Sequence, residues 1–478
     1  MYRLTSLLLA AVLSSAIAAQ RQSPRPLSDY VGTYNDRPGH TLEIVAGKEL
    51  FAVIDGAKYK LIPAGVDVFI NAVGQKVPFP RNDAGEVTGY IEAGKFHPRV
   101  SRAVTPEAAA LSRPRPPGED SPADYNYHPP VDLHDGIAVG SIAGSELGES
   151  TANAIVRAIL AGTYEDVHSV LLYLHGRLVL EEYFYGYNAR RPNQLRSATK
   201  SVVSALAGIA VDRGSLSGVD ERVLPLMSYQ DYANPDARKS EMTLGDFLTM
   251  SSGLACNDHD PSSPGRETLI DHTPDWVKAT LDLPMIHDPG RTGLYCSGGV
   301  AVVGRMIENA VHMRLPDFAQ ANLLGPLGIS RTSWRWNYTL TNANKEFSQI
   351  HLRPRDMLKL GMLFANHGRW KGRQVISASW VHRSLEKQSM VDATAYGYFW
   401  WHPWFHIETP SGSKRVYMSA AQGNGGQKIY ILPQFDFIAV FTGGAYNRNS
   451  PPNRIMVRII LPKLLSARPD KAESPPTE

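Results

Sequence analysis

The 478-residue chain has only two cysteines, Cys256 and Cys296. They allow at most one disulfide, and their spacing alone cannot establish it, because two small buried hydrophobes would read the same way. The chain also lacks a charge excess. Lys and Arg number 49 against 46 Asp and Glu, a formal net charge of +3, which argues against nucleic acid as a partner. Beyond the first 20 residues, no stretch offers 18 uncharged apolar residues, so no transmembrane segment is expected. The pattern G-x-S-x-G is absent, which removes the main signal for an α/β-hydrolase. No internal repeat is present.

What remains suits a globular protein of two or three domains. Hydrophobic residues make up 43% of the chain and charged residues 20%, enough for packed cores. Residues 1–19 carry Arg3, the apolar run Leu7 to Leu13 and the small-residue site Ala16-Ile17-Ala18. These read as a signal peptide, with export to a periplasmic or secreted location. The leader holds no cysteine, so a lipid-attached mature N-terminus is not expected.

Residues 28–102 read as a small all-β, barrel-like domain. Short β-branched runs (Leu42 and Ile44, Leu50 to Ile54, Val66 to Ile70) alternate with turn residues at Asp55-Gly56, Ala64-Gly65 and Asn82 to Gly85. Within it, Gly89 to Lys95 fits G-x-x-x-x-G-K, but Phe96 follows in place of Ser or Thr; the match is taken as chance. Residues 103–130 are rich in proline and read as an extended linker. Residues 131–466 form one large α+β domain. Thr151 is expected to cap a helix, and two hairpins are expected around His175-Gly176 and Pro433 to Asp436. Strands, then helices, then strands imply an antiparallel sheet completed by distant parts of the chain. Residues 467–478 read as a disordered tail.

The chemistry rests on S-x-x-K. It occurs at Ser197–Lys200, Ser384–Lys387 and Ser411–Lys414. Only the first precedes an apolar stripe at helical spacing, Val202, Val203, Leu206 and Ile209-Ala210, that stops before Asp212-Arg213-Gly214. Ser197 therefore stands at a helix N-terminus, where unpaired N–H groups favour developing negative charge. Lys200 lies one turn on, on the same face.

The stretch from Arg196 to Ala210 resembles the nucleophile helix of the serine β-lactamase and penicillin-binding-protein superfamily. Two further stretches match in order. Pro289 to Gly299, containing Tyr295-Cys296-Ser297, resembles the Y-x-N/S segment of the class C-like branch. Gln422 to Gln427 resembles the Lys/His-Thr-Gly segment. Leu244 to Gly253, Gly325 to Gly328 and Arg353 to Gly361 support the match. The resemblance implies an antiparallel sheet with flanking helices and an all-α subdomain. It implies Ser197 as acylated nucleophile, Lys200 and Tyr295 as the acid–base network, and Ser297 as its orienting hydroxyl. The backbone N–H groups of Ser197 and Gln427 would form the oxyanion hole, with Asn424, Gly425 and Gly426 at the substrate.

Asn424 and Gly425 stand where β-lactamases and DD-peptidases carry a cation and a hydroxyl. The pattern resembles the carboxylesterases and 6-aminohexanoate-dimer hydrolases of the branch more closely. The expected function is an exported serine hydrolase that cleaves a small ester or amide through an acyl-enzyme. A β-lactamase or D-amino-acid peptidase is one alternative; a non-catalytic binding or sensor protein on the same scaffold is another. The aromatic run from Tyr396 to Trp404 offers either an acyl-pocket wall at Trp400 or an ordinary core strand. Cys256 to Asp260, with His272 and Cys296, holds metal-type ligands, but no paired spacing completes a zinc site, and a polar loop near the cleft is the better reading. No metal or cofactor is implied, and the oligomeric state is not readable.

Overall fold

The computed structural model describes residues 25–37, 39–54, 56–115, 119, 121–336, 349–409 and 412–472. The signal-peptide segment, Ser411 of the third S-x-x-K copy and residues 473–478 lie outside them. The chain divides into two compact units, residues 1–109 and 110–478.

The first unit is one antiparallel sheet of eight strands: β1 Gly32–Arg37, β2 His40–Ala46, β3 Leu50–Ile54, β4 Ala57–Gly65, β5 Val68–Ile70, β6 Lys76–Pro78, β7 Gly89–Glu92 and β8 Lys95–Ser101. Their order, β6-β5-β4-β3-β2-β1-β8-β7, rolls the sheet into a nearly closed barrel. Tyr34, Leu42, Ile44, Phe69, Phe79 and Tyr90 fill its interior. One turn differs from expectation. β4 continues through Ala64-Gly65, and the chain reverses at Val66-Asp67. Asp67 tolerates the left-handed backbone there, with φ 54°. Its carboxylate accepts from Tyr30 Oη at 2.6 Å and pairs with Arg81 at 2.7 Å; the Arg81 guanidinium holds it below the ordinary carboxylate range. The G-x-x-x-x-G-K stretch is the β7–β8 hairpin, turning at Ala93-Gly94, both with positive φ. Part of the stretch read as extended is instead a short helix, Pro106–Ala110. Proline suits its first position, where an N–H would be unpaired anyway.

The second unit is α+β. Its sheet holds β9 Val167–Leu174, β10 Arg177–Tyr183, β11 Ser389–Val391, β12 Thr394–Tyr396, β13 Trp401–His402, β14 Ser419–Gly423, β15 Gln427–Leu432 and β16 Phe437–Gly443. The order is β10-β9-β16-β15-β14-β13-β12-β11, with antiparallel pairing throughout. The two expected hairpins are β9–β10 and β15–β16, and the pairing of β9 with β16 joins distant parts of the chain. The main helices are α1 Gly148–Leu160, α2 Thr199–Asp212, α3 Gly298–Val311 and α4 Pro354–Ala365. Thr151 lies inside α1, not at its cap; its hydroxyl bonds back to the Leu147 carbonyl. Pro469–Lys471 winds a 3₁₀ turn in the segment read as tail. Among the described residues no helix is long and apolar enough to cross a membrane.

The strongest buried ion pairs tie α4 to the sheet. Arg355, 3% exposed, donates to both Glu181 carboxylate oxygens at 2.8 and 2.7 Å, to Asp135 at 3.1 Å and to the Val131 carbonyl at 2.7 Å. Removing the guanidinium leaves Glu181 charged and buried. Arg355→Ala is therefore expected to cost about 3–5 kcal/mol of stability, read as a lower urea midpoint for the second unit.

Candidate active site

The Ser197 segment is built by a sharp local turn. Arg196 adopts φ 49°, a left-handed conformation that non-glycine residues take reluctantly. Arg196–Ala198 then form a 3₁₀ turn that runs into α2. The burial of the helix goes beyond its apolar stripe. Every residue from Thr199 to Ala210 is buried, because other helices and the sheet enclose it on all sides. Lys200 is held in that packing and is only 2% exposed.

Lys200 Nζ lies 3.0 Å from Ser197 Oγ and 3.0 Å from Ser297 Oγ. It sits 4.8 Å from the centre of the Tyr295 ring and also hydrogen-bonds the Tyr295 side chain. Burial pulls the amine down, but Tyr295 and, further off, Glu267 and Asp258 outweigh it, so Lys200 is held above its ordinary value. The resting group is an ammonium that donates to both hydroxyls.

A clamp fixes Tyr295. Cys256 and Cys296 are joined in a disulfide. Between them, Asp258 N donates to the Tyr295 carbonyl at 2.8 Å, and Asp258 Oδ2 accepts from Ser297 N at 2.8 Å. The His259 ring stacks on Tyr295, centroids 4.9 Å apart and planes 6° apart, and its Nδ1 bonds the Asp392 carboxylate. Trp401 packs on Tyr295 at 5.3 Å.

The third segment is the β14–β15 turn. A Cβ on Gly423 would meet the Leu195 carbonyl at 2.1 Å, so only glycine lets this strand approach the turn before Ser197. Gly425 and Gly426 follow with φ 89° and 98°. A cavity of about 510 Å³ runs along this edge, with Ser197, Tyr295, Trp401, Asn424, Gly425 and Gly426 in its wall.

Most of the sequence-derived residues therefore meet. Ser197, Lys200, Tyr295 and Ser297 converge, with Asn424, Gly425 and Gly426 on the same cavity. The Asn424 amide is engaged by Asn447, donating to its side chain at 2.7 Å and accepting from its N–H at 2.9 Å. Gln427 faces away by its side chain, which exchanges hydrogen bonds with Gly443 at 2.6 and 3.2 Å. Trp400 is a correction. It is 1% exposed and packs on Phe364 of α4 at 4.7 Å, in the core. The neighbouring Trp401 turns to the other side and reaches the cleft. Ser384 is also excluded: it is buried, and its hydroxyl bonds the Trp380 carbonyl at 2.8 Å. Sequence reasoning placed Trp401 in the aromatic run and His259 in the polar loop near the cleft without singling out either, and it missed Asp392 and Lys428. The signal for Lys428 was a charge directly before the apolar run Ile429-Tyr430-Ile431.

The structure thus gathers a lysine ammonium, two serine hydroxyls and a tyrosine at the edge of an antiparallel sheet. The chain belongs to the Beta-lactamase family, whose model matches residues 153–441. It is similar to the 6-aminohexanoate-dimer hydrolase of Paenarthrobacter ureafaciens, 22% identical over 300 residues that cover 58% of this chain and 72% of the relative. It is similar to the lovastatin esterase of Penicillium rubens, 28% identical over 182 residues that cover 35% and 45%. It spans less than half the length of the first curated relatives it matches. Among solved structures, EstCE1, a hydrolase with promiscuous acyltransferase activity, shares the fold with a TM-score of 0.52 and 14% identity, over 67% of this chain and 98% of that one.

The disulfide closes a separation of 40 residues around the Tyr295 clamp. Cys256→Ser with Cys296→Ser is expected to lower stability by about 2–4 kcal/mol, measured by urea unfolding of oxidised wild type against the double variant.

Proposed function

We propose that this protein is an exported serine hydrolase that cleaves a small ester or amide through an acyl-enzyme on Ser197. The observation that carries this is the buried Lys200 ammonium bonded to Ser197, Ser297 and Tyr295 at one end of the cavity. In this reading, Tyr295 accepts the Ser197 proton as Oγ attacks the carbonyl, while the ammonium beside it stabilises the negative charge. Main-chain N–H groups of Ser197 and of the β15 edge at Gln427 hold the oxyanion. Tyr295 then returns the proton to the leaving alcohol or amine, which breaks the C–O or C–N bond. Water repeats the sequence on the acyl-Ser197 ester and releases the acid.

Esterase and amide-hydrolase relatives support the reaction class, and the leader segment together with the disulfide supports an oxidising, exported setting. The neutral Asn424-Gly425 pair, with Asn424 tied to Asn447, favours this reading over a β-lactamase.

Two outcomes are expected. Ser197→Ala should abolish both fluorophosphonate labelling, read by mass spectrometry, and hydrolysis of 4-nitrophenyl butyrate; retained turnover would reject the mechanism. Tyr295→Phe should lower kcat by about 10²–10⁴-fold, the usual worth of a positioned acid–base group, with KM changed far less.

A further inference from the structure

Lys428 is the one charged residue of β15, a strand whose six residues are all buried. It is only 6% exposed, yet it borders the same cavity as Ser197. Its amine donates to the Gln422 side-chain oxygen across the β14–β15 ladder. Among the described residues no carboxylate pairs with it. Burial alone acts on it and pulls it down to about 7. A buried amine without a counter-charge is costly to keep in place.

Its surroundings show what is missing. Side chains two apart on a strand share a face. Tyr430, two residues on, donates to Asn453. On the other side, a Cβ on Gly426 would meet Pro452 at 3.4 Å. Lys428 therefore lies between the two points where the Pro451–Ile455 segment touches the strand. Ser450, just before that segment, also borders the cavity, and its hydroxyl is buried without a hydrogen-bond partner. The other polar groups on this wall are occupied: Arg448 pairs with Asp166 and Glu165, and Asn424 with Asn447. One cation and one hydroxyl are left facing a cavity of small-molecule size.

We infer that Lys428 selects substrates with a free carboxylate, seated against Lys428 Nζ and Ser450 Oγ while the scissile carbonyl lies at Ser197. This rests on the acyl-transfer reading and names its substrate class. A carboxylate supplies the counter-charge that burial denies the amine, through charge-assisted hydrogen bonds.

The test has a kinetic and a binding arm. Wild type is compared on 4-nitrophenyl hemiglutarate against 4-nitrophenyl valerate, and on 4-acetoxybenzoate against phenyl acetate, which puts the carboxylate on the acyl side and then on the leaving side. In one of the two pairs kcat/KM should favour the carboxylate by about tenfold or more. That ratio should fall to about one in Lys428→Met, and partly in Ser450→Ala. Lys428→Gln repeats the comparison if the methionine variant misfolds. For binding, monomethyl glutarate should raise the Tm of Ser197→Ala protein more than methyl valerate does, and the difference should vanish when Lys428→Met is added. No charge preference in either pair, or a preference that survives both Lys428 variants, overturns the inference and leaves the hydrolase reading standing. A Lys428-dependent Tm difference without turnover of any ester supports the carboxylate site and overturns the hydrolase reading.

Discussion

The second unit is organised around a buried ammonium. Lys200 is almost entirely withdrawn from water, and a lone cation there would be driven to neutrality. It stays charged because Ser197, Ser297 and Tyr295 crowd its three N–H positions with oxygen acceptors and a π face. Those partners come from two chain segments about a hundred residues apart, so the charge can be kept only if both are in register. Electrostatics and fold therefore specify each other: α2 must be buried on all sides to aim the stem, and the Tyr295 loop must be clamped to receive the amine.

The clamp explains why so much structure surrounds one tyrosine. Loops at the surface are the least stable parts of a protein, so a tyrosine on one keeps a fixed position only where other groups hold it. Here the disulfide, the Asp258 carboxylate and the flat stack of His259 act on adjacent residues of a single loop. His259 is anchored in turn by Asp392, beside β11, so the far edge of the sheet also helps to position Tyr295. The opposite wall is set by close approach instead: Gly423 fits because it has no side chain to strike the Leu195 carbonyl.

The features legible in the sequence were those fixed by local pattern. The two sheet hairpins and the end of α2 follow from short-range periodicity or turn chemistry, while the order Ser197, Tyr295, Gly425 follows from the resemblance to the family's motifs. The illegible ones depend on which face a residue presents or on contacts across long separations. Trp400 and Trp401 are adjacent aromatic residues, and a one-residue difference decides core against cleft. The Cys256–Cys296 bond required two loops to meet in space. The α2 stripe marked a helix that packs on the core, but a sequence window cannot see the second layer that buries its remaining faces. The Val66-Asp67 reversal was hidden because Asp67 was read as part of a β run, although its short polar side chain tolerates the left-handed backbone.

The glycine-rich edge has a consequence for recognition. A tip made of Asn424, Gly425 and Gly426 offers its backbone freely, which suits an oxyanion, but it contributes no charge of its own. Asn424 cannot compensate, since both ends of its amide are used by Asn447. Any electrostatic selectivity must then come from groups set back from the tip, where burial strengthens each interaction. Lys428 occupies such a place, one strand residue beyond Gln427 and below the Pro451–Ile455 segment. Moving the cation from the tip into the strand leaves the edge open to neutral carbonyls and moves discrimination to the far end of the substrate.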